Sequence, residues 1–225
     1  MAEQAGWSRR LGATGALVPC VAIATSLAVC YLAIAWTGRD ASEGFRRLLD
    51  GAFGSPRALG ESAIKAGILT CTGLSVALAF SVGLFNIGAE GQFMTGALAA
   101  AVVGHAVSLP AALHVPLCLL AAALAGALPA LATSWLKVSR GVHEVISTIM
   151  LNWIAVSLVE NWLVVGPLRA RASGDNSISG TDEILSTAQL PRLLGETSRL
   201  HAGFLVAATL AVAVWYWQTR TRYGF

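Results

Sequence analysis

Long apolar windows, each bounded by polar segments, form the main pattern along this chain. The windows fall at residues 11–36, 66–84, 93–107, 115–136, 145–165 and 202–217. A membrane-spanning helix needs about 20 predominantly apolar residues, and four windows reach or approach that length. The third and sixth windows are shorter. Residues of the polar segment before the third would complete that span, and Leu200 and His201 would complete the sixth. We predict an all-α, polytopic bundle of about six spans, forming a single transmembrane domain over residues 1–225.

The first window has an alternative interpretation as a secretory signal. Ala33 and Ala35 resemble the small residues that precede a signal cleavage site. The window is, however, longer than the apolar core of a cleavable signal, and its only ionisable groups are Cys20, Cys30 and Tyr31. We therefore predict a retained first span.

Composition supports a membrane protein and argues against other classes. Hydrophobic residues make up 56% of the chain and charged residues 12%, and the mean hydropathy is +0.67. This balance is too apolar for a soluble globular domain. The net charge of +3 is small and the arginines form no stripe, so we predict no nucleic-acid partner. The four cysteines lie in apolar windows without a C-x-x-C pair, which favours packing over metal ligation or disulfides.

Small residues recur four apart on one face of the third window and on one face of the fourth. Such faces let helix backbones approach closely in lipid, where packing replaces the hydrophobic effect. They predict a tight bundle, and their members are Gly96, Ala100 and Gly104, and Ala122, Gly126 and Ala130.

The stretch "LFNIGAEGQFMTG", residues 84–96, places polar residues and glycines inside an otherwise apolar region. A charge at the centre of a spanning helix costs roughly 2.5–3.5 kcal/mol, so we do not expect Glu90 to face lipid. The glycines favour a helix broken around 85–92, which membranes tolerate where the freed backbone is buried in protein or lines a cavity. The segment is either a tight turn between spans or the border of a substrate path. We favour the second interpretation.

A second polar set lies in the fifth window. Glu144, Thr148 and Asn152 are spaced four apart and share one helical face. Asn152 is the stronger functional candidate, although an Asn that bonds a neighbouring helix would follow the same pattern. His143 and Glu144 at the start of the window are typical of a helix terminus rather than of a metal site.

Motifs of enzymes are missing from the sequence. It contains no G-x-x-x-x-G-K-[ST] phosphate loop, no G-x-S-x-G elbow and no H-E-x-x-H pair. We therefore predict a protein with no catalytic residues, no metal site and no cofactor.

Charge does not decide the orientation. Two long polar segments, 37–65 and 166–201, would lie on one side and the short 137–144 on the other. With both termini inside, the inner segments hold six Lys or Arg and the outer loops nine, which opposes the positive-inside rule.

Two motifs point to a family. "GLFNIGAEGQF" (83–93) followed by "GVHEVISTIMLNWIA" (141–155) closely resembles the permease subunits of bacterial ABC importers of the nucleoside and simple-sugar branch. The "GPL" at 166–168, the "LP" at 190–191 and the "TRYGF" at 221–225 are similar to that family as well. Within it, "FNIGAEGQ" resembles the purine-nucleoside type more than the ribose or galactose type. Such permeases usually exceed 300 residues, so this chain resembles an N-terminal portion, incomplete at its C-terminus.

The resemblance implies a function and partners. It implies a multi-pass protein of the bacterial inner membrane that carries a small solute, with a cytoplasmic N-terminus. ATP-binding subunits, which would hydrolyse ATP, a second permease subunit and a substrate-binding lipoprotein are the expected partners. The alternatives are a simple-sugar permease, an ion-coupled secondary transporter that uses Glu90 or Glu160, an intramembrane enzyme and a purely structural subunit.

Eight residues are predicted to border the substrate path. The polar side chains would bond ribose hydroxyls or base edges, or hold the break in shape, and Phe85 or Phe93 would either stack on a base or pack. The eight are Phe85, Asn86, Gly88, Glu90, Gly91, Gln92, Thr148 and Asn152.

Overall fold

A computed structural model describes residues 13–169, 180–195 and 198–220. Seven α-helices occupy these ranges: α1 (Ala13–Trp36), α2 (Ala41–Phe53), α3 (Pro56–Ser81), α4 (Ala89–Ala106), α5 (Ala111–Arg140), α6 (Glu144–Ser157) and α7 (Gly203–Arg220). A π-helical segment, Leu158–Leu163, continues α6, and a 3₁₀ turn, Ser186–Ala188, precedes α7. The all-α prediction is confirmed. Residues 11 and 12 of the first predicted span and the motif at 221–225 lie outside the described residues.

Four helical stretches in the described ranges are long and apolar enough to cross a membrane: Leu17–Trp36, Pro56–Ser81, Ala111–Arg140 and Glu144–Leu163. A polytopic helical bundle is thereby confirmed. Helices α4 and α7 stand where the third and sixth spans were predicted, at 18 residues each. Polar residues such as Glu90 in α4 and Arg220 in α7 lower their hydropathy. The count of six spans and the single domain stay predictions.

The polar segment 37–65, which separates the first two predicted spans, is largely helical. It contains all of α2, and α3 begins at Pro56 rather than at residue 66. A search for apolar windows detects only uninterrupted apolar runs of lipid-spanning length. Here charged residues such as Arg57, Glu61 and Lys65 interrupt the apolar run. These charges do not stop the helix, because Arg, Glu and Lys are good helix formers.

The chain divides into two compact units, Met1–Ser62 and Ala63–Phe225. In the first, Asp40 caps α2 by accepting hydrogen bonds from the backbone N–H groups of Ser42 and Glu43. A bond from the Ser42 hydroxyl, together with these two N–H groups, lowers the pKa of the Asp40 carboxyl below its ordinary value. The rings of Tyr31 and Phe45 meet with centroids 6.0 Å apart, which joins α1 to α2.

In the second unit, α4 and α5 approach at two glycines. A Cβ added to Gly96 would lie 2.8 Å from the Ala122 carbonyl oxygen, and one added to Gly126 would lie 2.9 Å from that of Gln92. The predicted small-residue faces of these helices therefore do pack together. Gly104 approaches Ile184 and Ala188 instead, and its carbonyl accepts the Leu185 N–H at 2.9 Å.

The segment around the 3₁₀ turn is fixed by a histidine. His114, near the start of α5, is fully buried. Its Nδ1 lies 2.8 Å from the Thr187 hydroxyl, and its Nε2 lies 3.4 Å from the Val103 carbonyl oxygen. One side chain thus ties α4, α5 and the segment 180–195 together.

We predict that Gly96→Ala destabilises the protein whereas Gly73→Ala does not. The added methyl at position 96 collides with a backbone carbonyl, and overpacking of this kind costs about 1–3 kcal/mol. A Cβ on Gly73, inside α3, meets nothing within 4 Å and removes up to about 1 kcal/mol of glycine penalty. Melting temperatures of the two purified variants in one detergent measure the contrast. A Gly96→Ala variant as stable as the parent would contradict close packing of α4 on α5.

Candidate functional site

The helix break between α3 and α4 occupies residues 82–88. Gly83 takes a left-handed conformation with φ of 75°, which glycine adopts without steric cost. Its N–H donates to the Phe80 carbonyl at 3.0 Å, and the Leu84 N–H donates to the Ala79 carbonyl at 2.9 Å, which closes the end of α3. The predicted glycine-broken segment is confirmed, although residues 89–92 already form the first turn of α4.

A cluster of neutral polar side chains holds the break in shape. The Asn86 and Gln92 amides bond reciprocally: Gln92 Nε2 donates to Asn86 Oδ1 at 3.2 Å, and Asn86 Nδ2 donates to Gln92 Oε1 at 3.3 Å. Asn86 Oδ1 also accepts the Gly88 N–H at 3.0 Å. Ser75 of α3 completes the cluster, because its hydroxyl donates to Gln92 Oε1 at 3.2 Å and accepts from Asn86 Nδ2 at 3.3 Å.

Asn152 of α6 caps the start of α4 from a neighbouring helix. Its Oδ1 accepts the Gly91 N–H, and its Nδ2 donates to Glu90 Oε2 at 3.2 Å. The first N–H groups of a helix have no partner within it, so Asn152 satisfies one of them. The helices are close here, since a Cβ on Gly91 would lie 2.9 Å from that of Ala155. The sequence left open whether Asn152 bonds a neighbouring helix, and the structure shows that it does.

Thr148 reaches the break through its backbone. A Cβ on Gly88 would lie 3.4 Å from the Thr148 carbonyl oxygen, so the two chain segments are in close contact. The Thr148 side chain is buried, and its hydroxyl donates to the Glu144 carbonyl one turn earlier at 2.7 Å. The predicted shared face of α6 is thus the face that meets the break and the start of α4.

A cavity of about 440 Å³ opens beside the break. Four of the eight predicted residues line it: Phe85, Asn86, Gln92 and Thr148. The other lining residues come from α3, the break, α5 and the start of α6: Ala79, Leu84, Ala130, Thr133, Ser134, Lys137, Val138 and Glu144. The wall is mostly apolar, with polar groups from each side, as is usual for small-molecule sites.

The remaining four predicted residues do not line this cavity. Glu90 is exposed and borders a separate open groove with Phe93 and α3 residues such as Phe80. Gly88 and Gly91 are contact points of the backbone, and Asn152 is a capping residue.

Phe85, one of the lining residues, has a partly free ring. It packs on Phe80 with ring centroids 5.0 Å apart, yet it stays 53% exposed. Part of the Phe85 ring therefore remains available to a solute in the cavity.

Sequence reasoning missed two groups at the site. Lys137 Nζ lies 3.1 Å from Glu144 Oε1, so an ion pair joins the end of α5 to the start of α6 beside the cavity. In the sequence, the basic residues of segment 137–144 entered only the charge count for orientation, because no spacing rule connects two helices across a turn. Ser75 was missed because a lone serine in an apolar span gives no signal of its own. Its hydrogen-bond partners are determined by how α3 and the break fold together.

These features define a polytopic helical membrane protein with a partly polar cavity beside a broken helix. The chain belongs to the family described as "Branched-chain amino acid transport system / permease component", whose pattern matches residues 58–225. Members of this family are transport proteins of membranes. No solved structure gave a significant match.

Three curated relatives have named functions. The guanosine ABC transporter permease protein NupP of Bacillus subtilis (strain 168) is 37% identical over 209 residues, covering 93% of this chain and 59% of that protein. The glucose ABC transporter permease protein TsgB13 of Haloferax volcanii is 34% identical over 216 residues, covering 92% and 56%. The nucleoside ABC transporter permease protein NupB of Lactococcus lactis subsp. cremoris (strain MG1363) is 30% identical over 216 residues, covering 93% and 58%. The chain therefore spans somewhat more than half the length of these relatives.

We predict that Asn152→Asp destabilises the start of α4 at neutral pH and that Glu90→Gln restores it. The new carboxylate still accepts the Gly91 N–H, but its second oxygen faces the Glu90 carboxylate where an amide had donated. Because Glu90 is exposed, we expect a loss of about 1 kcal/mol. In the double variant the new Gln amide donates to the new Asp.

Melting temperatures of the two single variants and the double variant measure this coupling, with Asn161→Asp as the matched control on an exposed position of the π-helical segment. Additive effects in the double variant would show that Asn152 and Glu90 do not interact.

Proposed function

We propose that this chain is part of the permease subunit of an ATP-binding-cassette importer and borders the translocation path of a purine nucleoside. The observation that carries the solute class is the similarity over more than nine-tenths of the chain to a guanosine permease and a nucleoside permease. The cavity beside the helix break is the proposed position of that path.

The size and chemistry of the cavity support a nucleoside. A volume of about 440 Å³ lies within the range of small-molecule sites. The Asn86 and Gln92 amides each combine donors with an acceptor, as ribose hydroxyls and base edges require. The exposed part of the Phe85 ring offers a surface for the flat face of a base. Thr148 also lines the cavity, with its buried hydroxyl donating to the Glu144 carbonyl at 2.7 Å.

The charges at the cavity favour an uncharged solute. Lys137 and Glu144 are the lining residues that carry a formal charge, and they already neutralise each other at 3.1 Å. Glu90 belongs to the other groove. An uncharged nucleoside or sugar therefore meets amides, hydroxyls and apolar groups without the need to break an ion pair.

The partners and location follow from the same proposal. Separate ATP-binding subunits hydrolyse ATP, a second permease subunit completes the path, and a substrate-binding lipoprotein delivers the solute. The protein spans the bacterial plasma membrane several times. Alternating exposure of a central site is the proposed mechanism. The non-helical residues 82–88 between α3 and α4 support it, because broken helices commonly form the substrate site of transporters.

A simple sugar is the second candidate solute. The glucose permease TsgB13 is 34% identical over 92% of this chain, close to the values for the nucleoside permeases. Amides and hydroxyls suit sugar hydroxyls equally well. The exposed Phe85 ring is the feature that favours a base in addition to a ribose.

The first experiment is uptake of labelled guanosine, ribose and galactose in cells that lack the permease gene and in cells where the full-length gene is restored. We expect restored guanosine uptake that excess nucleoside blocks and excess sugar does not. It should survive an uncoupler and stop when ATP is depleted. Restored sugar uptake without guanosine uptake would indicate a simple-sugar permease instead. Uptake that the uncoupler abolishes would indicate an ion-coupled transporter.

We predict that Gln92→Met raises the KM for guanosine uptake about tenfold, the usual effect of a lost hydrogen bond to a desolvated polar group. Ser75→Ala is the matched control, because it removes the same bond to Gln92 Oε1 but Ser75 does not line the cavity. We expect this control to change KM little. Equal effects of the two substitutions, at equal amounts of folded protein, would assign Gln92 a structural role alone.

A further inference from the structure

Helix α2 separates its apolar and charged residues onto opposite faces. In its sequence, ASEGFRRLLDGAF, one stripe of helical spacing holds Phe45, Leu48, Leu49 and Ala52. The other face holds Glu43, Arg46, Arg47 and Asp50. The helix is 13 residues long, so it is too short and too polar to span a bilayer.

Most of the apolar stripe is uncovered within the first unit. Phe45 is half-buried because it packs on Tyr31 of α1. Leu48 and Leu49 are 62% and 56% exposed, and Phe53, next to the stripe, is 65% exposed. Three large exposed apolar side chains on one helix form a candidate binding surface for an apolar partner.

The chain keeps α2 close to the ends of two candidate membrane spans. It lies between α1 and α3, which are both apolar enough to span a membrane. The four residues 37–40 can extend at most about 14 Å, and they form a turn in which Gly38 has a φ of 74° and donates to the Ala35 carbonyl. At the other end the Ser62 hydroxyl of α3 donates to the Ala52 carbonyl at 2.9 Å. Helix α2 therefore cannot move far from the ends of the two spans.

The charged face of α2 is neutralised by its own ion pairs. Arg46 pairs with Glu43 at 2.8 Å and with Asp50 at 3.3 Å, and Arg47 pairs with Glu43 at 2.8 Å. Two arginines balance two acids on this face, so it has no excess of charge for an anionic partner. It suits water, while the opposite face suits hydrocarbon.

We propose that α2 is an interfacial helix that lies in the plane of the membrane, with Leu48, Leu49 and Phe53 in the lipid and the face of Arg46 and Arg47 in water. A helix with one apolar face and one strongly charged face binds membranes in this way. The lipid that surrounds α1 and α3 continues over this stripe. Attachment depends on the apolar side chains and not on anionic headgroups, because the charges of the polar face are already paired.

Spin labels at adjacent positions test the proposal. A nitroxide is attached through Leu48→Cys or, separately, through Arg47→Cys, in a background where every native cysteine, including Cys20, Cys30, Cys71 and Cys118, is replaced by alanine. Both positions are exposed, and the loss of Arg47 leaves Glu43 paired with Arg46. The full-length permease is reconstituted in phosphatidylcholine vesicles. Collisions with oxygen, which concentrates in lipid, are compared with collisions with a water-soluble nickel chelate.

We expect the Leu48 label to favour oxygen and the Arg47 label to favour the nickel chelate. Addition of phosphatidylglycerol should leave both values unchanged. Labels that are both open to the chelate would overturn the proposal, as would labels that are both in lipid. A Leu48 label shielded from both reagents would overturn it too, because a protein surface would then cover the stripe. A shift into lipid only with phosphatidylglycerol would overturn the apolar basis of attachment. None of these readings depends on which solute the permease carries.

Discussion

The start of α4 is the constraint on which the arrangement around the break depends. A helix that begins inside an apolar bundle leaves N–H groups without partners, and lipid offers none. Here Asn152 takes the Gly91 N–H from across the helix interface, and Asn86 takes the Gly88 N–H from within the break. Two amide side chains thus replace bonds that a continuous helix would have made. The break is a stable part of the fold because both amides are in place.

Close packing at glycines brings Asn152 within reach of α4. Gly91 allows α6 to approach until a Cβ would collide with Ala155, and Gly126 allows α5 to reach the Gln92 carbonyl. A larger residue at Gly91 would move α4 and α6 apart and lengthen the bonds that Asn152 makes, whereas one at Gly126 would move α4 and α5 apart. The bonds of Asn152 and the close contact at Gly91 are therefore linked, since these bonds form only at the distance that the glycine permits.

The sequence predicted the elements whose signals are local. Asn86, Gln92 and the glycines around them mark a helix break, and the spacing of Thr148 and Asn152 marks one face of α6. A helical period identifies a face but not the neighbour it meets, so the sequence could not decide the role of Asn152. Ser75 was missed because its partners are chosen by the tertiary fold. Helix α2 was missed for a different reason: its apolar residues alternate with charges at helical spacing, and a search for continuous apolar windows does not detect that pattern.

If the cavity is the solute path proposed above, its neutral chemistry favours a nucleoside or a sugar, the solutes named for the relatives, over the branched-chain amino acid in the family's description. A branched-chain amino acid carries an ammonium and a carboxylate, and each needs a counter-charge or several hydrogen bonds once water is removed. Lys137 and Glu144 could supply these charges only if their own pair were broken, and breaking a partly buried pair leaves two groups to be compensated. A nucleoside or a sugar requires only the amides of Asn86 and Gln92 and nearby hydroxyls.

The Asn86 and Gln92 amides bond each other at the break. A solute that inserts between the two amides would replace their mutual hydrogen bonds with hydrogen bonds to itself. Solute binding and the conformation of the break would then be energetically coupled. In this proposal the groups that hold the break are also the groups that respond to the solute, which is the property that alternating exposure of one site requires.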